Sequence, residues 1–306
     1  MTQSHPSVLG LVIKGIVAGI LYIVGTMLAG ALFAALHVPL VNPAPPGVDL
    51  HKTATMFLLA TPLLGLALVP LARHTAGSRL FRGLAIAFLI FICMGLTSVM
   101  EMRIFMTVYA QGGSLAAILV VIPPALLCGL ALGYLLPQEP AEVSAEQRLR
   151  SFFAAHSAIS WAARFVLAIL LFGVFYFLFG MLVAPFVVPF YRAGVLGLTL
   201  PPFSVIIPVL LIRSVLFLLA CLPFLILWTR SRVSLILSLG LAHWFLTGGY
   251  GMLMVVFWPP VMRVGHGLEI AADSFAYAAA LVFLLLPRRR ENTVPNSAHV
   301  APMFPS

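Results

Sequence analysis

The sequence predicts an all-α, polytopic integral membrane protein of about eight transmembrane helices, and three observations carry that prediction. Only 8% of the 306 residues are charged and 62% are hydrophobic, where a soluble domain has about 25% charged residues and about 45–50% apolar ones. The apolar residues gather into stretches of about 20, the length that crosses a hydrocarbon core. The basic residues behind the net charge of +9 fall between those stretches. That placement reads as membrane topology and not as a nucleic-acid surface. The expected partner is therefore the lipid bilayer, with no nucleic acid.

The spans follow in order. The first covers residues 8–36, with Lys14 in an early turn from which its amine can snorkel. It is read as a retained span, because no basic residue precedes Lys14 and its apolar run exceeds a usual signal core. After the Pro-rich loop HVPLVNPAPPGVDLHK come a second span over 53–72 and the basic loop RHTAGSRLFR. A third span covers 83–100. The fourth, over 115–136, is broken at Pro123-Pro124. The segment PQEPAEVSAEQRLRSFFAAHS then reads as a short surface helix. The fifth span covers 158–183 and a Pro/Gly-rich stretch leads to the sixth, over 204–228. The turn TRSR precedes the seventh, over 233–258, and the eighth ends at Leu286. The tail, residues 291–306, is polar and contains proline, the composition of a disordered segment.

Alternation of these spans sorts the loop charges onto two sides. One side holds Lys14, Arg73, Arg79, Arg82, Arg148, Arg150, Arg164, Arg230, Arg232 and Arg288 to Arg290, twelve residues in all. The other holds Lys52, Arg103, Arg192 and Arg263, four residues. The positive-inside rule then makes both termini cytoplasmic, in a cytoplasmic or inner membrane. Arg288 to Arg290 reads as a topology anchor. Cys93, Cys128 and Cys221 lie inside apolar runs with no CxxC pair, so they read as small hydrophobic residues.

The two halves, residues 1–140 and 155–290 of a single transmembrane domain, also resemble each other. Residues 19–28, GILYIVGTML, match 173–182, GVFYFLFGML. LVPLARHTAGSRLFRGLA loosely matches CLPFLILWTRSRVSLILSLGLA, and Glu101-x7-Tyr109-Ala110 echoes Glu269-x7-Tyr277-Ala278. A four-plus-four duplication follows, and an even number of spans per half makes the repeats parallel.

The candidate site is the last span. At about 100° per residue, Arg263, His266, Glu269, Asp273, Ser274 and Tyr277 fall within an arc of roughly 140°. The remaining surface carries Val264, Leu268, Ala271, Ala272, Phe275 and Ala279. A charge at the centre of a spanning helix costs about 2.5–3.5 kcal/mol on insertion scales, so the polar arc should face protein or water. Topology places Glu101, Arg103, Arg192, Arg263, His266 and Glu269 toward the outer face. Asp273, Tyr277, Arg213 and His243 lie deeper.

Three functions are compatible with such an arc. Acids and histidine on successive turns suit a proton-coupled or ion-coupled transporter of a small solute, working through a polar cavity open to the outside. Alternatively, Glu269 or His266 serves as acid/base of a membrane-embedded enzyme on a lipid-linked or amphiphilic substrate, with arginines holding an anionic head. In the third, an assembly or accessory subunit, Arg213 or Arg263 pairs with Glu269 or Asp273 only to hold helices together. His266, Glu269 and Asp273 at i, i+3 and i+7 also have the spacing of metal ligands. No resident cofactor beyond such an ion is suggested: the chain has no GxSxG, no Walker A loop and no GxGxxG.

Overall fold

A computed structural model describes residues 7–40, 48–110, 113–139 and 143–287. The described residues are helical, joined by turns and two isolated bridges. Eight helices are long and apolar enough to cross a membrane: Val8–Ala35, Leu50–His74, Arg79–Phe105, Ser114–Leu135, Ala158–Arg192, Phe203–Leu227, Arg232–Met254 and Pro260–Leu285. They are called here the first to eighth helices. Their perimeter is apolar, with Leu32, Leu170, Val174, Leu237 and Phe283 exposed, as suits an integral membrane protein. Arg288 to Arg290 and the tail lie outside the described residues.

Most boundaries follow the hydropathy, and the departures have local causes. The fifth helix runs on to Arg192 through Pro185 and Pro189, across the stretch expected to be a loop. The third extends to Phe105 and so takes Glu101 and Arg103 into its last turns. It also starts at Arg79, because the buried guanidinium of Arg82 finds carbonyl partners: Ala72 at 2.7 Å and Gly133 at 3.2 Å. The fourth is interrupted before Ile122, as Pro123-Pro124 requires. The seventh stops at Met254, before Trp258. The surface segment forms a short helix, Ala145–Ala154, with Phe152 buried and stacked 4.7 Å from Trp161.

The third and seventh helices each contain a wide π turn, Phe91–Thr97 and Phe245–Gly249. Such a turn releases carbonyls from the regular ladder, and nearby hydroxyls take them up. Thr97 Oγ1 donates to Ile92 O at 2.9 Å and Ser98 Oγ to Cys93 O at 2.6 Å. In the seventh helix Thr247 Oγ1 donates to His243 O at 2.7 Å.

Packing runs in two sets. The first helix packs on the second and fourth, and the third packs on the fourth. The fifth packs on the sixth and eighth, and the seventh packs on the eighth. Between the sets, the second helix meets the seventh, the third meets the sixth, and the two π turns touch. The first set approaches at backbone distance: a Cβ on Gly65 would lie 2.0 Å from Gly15 O, and one on Gly129 2.5 Å from Gly83 O. The Glu101 and Glu269 echo falls on the third and eighth helices, which hold different places in the two sets, and Tyr109 lies beyond the third helix altogether. The two segments of that echo therefore do not occupy equivalent helices.

One face of the bundle gathers the arginines. There the loop after the second helix pairs with the loop after the sixth: Ala76 N–H donates to Leu227 O at 2.8 Å and Thr229 N–H to His74 O at 2.9 Å. Several arginines close helix C-termini, whose last carbonyls have no partner within the helix. Arg148 donates to Trp228 O at 2.7 Å, Arg164 to Leu284 O and Arg232 to Pro287 O. Glu139 sits between Arg73 at 3.0 Å and Arg230 at 2.6 Å, with His74 Nδ1 3.2 Å away. Burial pushes the Glu139 carboxyl up, but the Arg230 hydrogen bond and the charges of His74, Arg230 and Arg73 outweigh it and hold it below the usual carboxylate value.

Candidate functional site

The eighth helix opens with Pro259-Pro260, whose fixed φ suits a helix start. Its 3.6-residue period then sets His266, Glu269, Asp273 and Tyr277 on one face. That face turns inward. Asp273 is 5% exposed and Tyr277 1%, while Val264 and Leu268 on the opposite face are more than 60% exposed. From His266 to Tyr277 the ladder rises about 16 Å at 1.5 Å per residue.

At its N-terminal end, His266 Nδ1 lies 2.9 Å from Glu269 Oε2, and His266 Nε2 lies 3.1 Å from the hydroxyl of Tyr191, at the end of the fifth helix. With neutral imidazole protonated on Nδ1, His266 donates to the carboxylate and accepts from the phenol, so all three groups are satisfied. The ring of Trp258 stands 6.1 Å from His266. The other Glu269 oxygen faces the fifth helix at Gly180, where a Cβ would come within 3.1 Å of it.

One level deeper, Arg213 of the sixth helix is 6% exposed. Its Nη2 donates to Glu101 Oε2 at 2.7 Å, and its guanidinium lies 5.6 Å from the centre of the Phe217 ring. Asp273 lies one turn below Glu269, where the eighth helix meets the sixth that carries Arg213, and Tyr176 is on the fifth helix, which packs on both. At the deepest level His243 Nδ1 and Ser274 Oγ are 2.9 Å apart. Here Arg213 Nε, Asp273 Oδ1, His243 Nε2 and Tyr277 Oη are buried with no hydrogen-bond partner among the described residues. Buried polar groups normally find partners, so these four atoms are free to take a ligand or a proton.

Four of the helices thus bring Glu101, Arg213, His243, His266, Glu269, Asp273 and Tyr277 together, and the fifth adds Tyr191. Two residues expected with them stand elsewhere. Arg263 Nε donates to Met252 O at 2.8 Å and so closes the end of the seventh helix. Arg103 is exposed and its Nη1 donates to Ser114 Oγ at 2.9 Å. Nor do Arg213 or Arg263 form ion pairs with Glu269 or Asp273, as a lock would require; Arg213 pairs with Glu101. Tyr191, Tyr176 and Gly180 were missed in the sequence because they lie on the fifth helix, away from the polar arc. The repeat of Tyr22 and Tyr176 in the matched segments was a signal for Tyr176.

His266 and Glu269 are bonded to each other. Among the described residues no three His, Cys, Asp or Glu side chains are grouped to share one metal ion. Arranged in this way, the residues can hold and pass protons or receive a small cation. No family model, curated protein or solved structure matches the chain.

Proposed function

We propose that the protein is an integral membrane transporter that couples passage of a small solute to protons or small cations, through the polar ladder of its second half. The observation that carries this reading is charge balance. Three carboxyls, Glu101, Glu269 and Asp273, stand with one buried guanidinium, Arg213, which is bonded to Glu101. Full ionisation would leave net negative charge among apolar helices, which is expensive in hydrocarbon. The surplus is met by a proton or cation taken up from outside, and such exchangeable charge is what coupling needs.

The same reading makes the chain a parallel duplication of two four-helix units in a cytoplasmic membrane, both termini cytoplasmic. Supporting it are the matching packing partners, the π turn in the third helix of each unit and a constant offset. That offset relates Pro70 to Pro223, the N-caps Ser78 and Ser231, and Thr61 to Ser214. Thr61 and Ser214 each bond the carbonyl four residues back. In the first unit the place of Tyr176 is held by Tyr22, whose hydroxyl meets Met94 S at 3.9 Å. Nearby, Thr61 and Tyr250 lie 3.0 Å apart. That counterpart of the ladder in the first unit is uncharged.

A second reading, acid–base catalysis on an amphiphilic substrate at the same face, is favoured by the Tyr191–His266–Glu269 chain, which has the nucleophile–base–orienter order. Proteoliposomes separate the two. The transporter predicts proton or cation flux under an imposed gradient, reduced at least tenfold by Asp273→Asn or Glu269→Gln in protein that still inserts and keeps its Tm. Flux indifferent to both substitutions sinks the proposal, and product formed in detergent without a gradient favours the enzyme.

A further inference from the structure

A second site stands apart from the ladder, at the arginine-rich face. A cavity of about 380 Å³ is lined by His156, Arg164, Phe283 and Leu286, between the start of the fifth helix and the end of the eighth. We infer that it binds the phosphate of an anionic lipid head group. Both polar groups lining it are nitrogen donors. His156 stands one residue before Ser157, the N-cap of the fifth helix, and its ring packs edge-on against Trp161 at 5.0 Å. That contact orients the imidazole, and its Nε2 is buried without a hydrogen-bond partner. Arg164 is held in place from two sides, by Ser160 Oγ at 3.2 Å and by Leu284 O. A guanidinium has five N–H donors, so these two bonds leave others for a ligand. The positive end of the fifth-helix dipole adds to the potential there.

Two further features favour a lipid over a free anion. Phe283 is 68% exposed on the apolar perimeter, so the same cavity offers a ring to acyl chains and donors to a head group. Basic pockets between helices at the positive face of a membrane protein are the sites where anionic heads seat. Free phosphate would share the donors but gain nothing from Phe283.

The experiment is thermal unfolding of the whole chain in neutral detergent, titrated separately with phosphatidylglycerol, phosphatidylcholine and inorganic phosphate. Phosphatidylglycerol is expected to raise the Tm by several degrees. Phosphatidylcholine should leave it unchanged, and so should inorganic phosphate at the same concentration. His156→Ala and Arg164→Gln should each remove most of the gain. Because Arg164 also closes the eighth helix, the His156 variant, whose Nε2 has no hydrogen-bond partner among the described residues, carries the test if the other fails to fold. Protection by inorganic phosphate equal to that by lipid makes the ligand a free anion. Equal protection by both lipids, or a gain that survives both substitutions, overturns the site.

Discussion

Arg213 and Glu101 meet across helices whose positions in the chain are 112 residues apart, and neither residue has another ion partner among those described. Breaking one side of such a pair leaves a desolvated charge. Glu101→Gln or Arg213→Met alone should each cost about 3 kcal/mol of stability, whereas the double variant should recover most of it. Thermal unfolding of the four proteins in one detergent measures this, and strictly additive losses would refute the coupling. The polar arc of the last helix was legible in sequence because a 3.6-residue period is a local property. Which members of the arc face the site was not. Arg263 shares the arc with Glu269, yet its guanidinium is spent on a carbonyl of the helix before it. The partner of Arg213 depends on how the third and sixth helices pack, and no periodicity encodes that.

Elements carried the strongest sequence signal, since a run of about 20 apolar residues has little alternative to a spanning helix. Proline gave the misleading one. The fifth helix contains Pro185 and Pro189, continues for 35 residues and so reaches about 52 Å at 1.5 Å per residue. That exceeds a hydrocarbon core of about 30 Å. The surplus turns carry Tyr191 to His266, and an earlier stop would leave His266 without its phenol. In the first set of helices the deciding residues are small. A leucine at Gly65 would drive its Cβ into the Gly15 carbonyl, an overpacking that costs about 1–3 kcal/mol or more. Gly65→Leu should therefore lower the Tm by several degrees or prevent folding. A wild-type Tm would show that the first and second helices do not meet there.

At the scale of the molecule the two faces differ in kind. One holds the mouth of the ladder; the other is a collar of arginines around Glu139, whose depressed carboxyl makes the collar sensitive to acid. A group whose folded value lies below its unfolded one contributes stability that is complete above the ordinary glutamate value, about 4.3. That contribution is lost as the pH falls through the lower folded value. The wild type should therefore lose its stability advantage over Glu139→Gln on acidification below about pH 4. Parallel Tm curves for the two proteins across that range would refute the assignment. The sidedness of the charges was readable from loop composition, whereas the collar was not, because its bonds join loops remote in sequence.

Those same arginines complicate any attempt to rewrite the orientation of the chain by moving positive charge. Arg82, Arg148, Arg164 and Arg232 are, on the positive-inside reading of the sequence, address labels, and they are fasteners in the fold. Relocating one of them edits the insertion signal and unbuttons a helix end in the same stroke. Orientation in this molecule is best probed with charges added to the loops, leaving the native ones where they are.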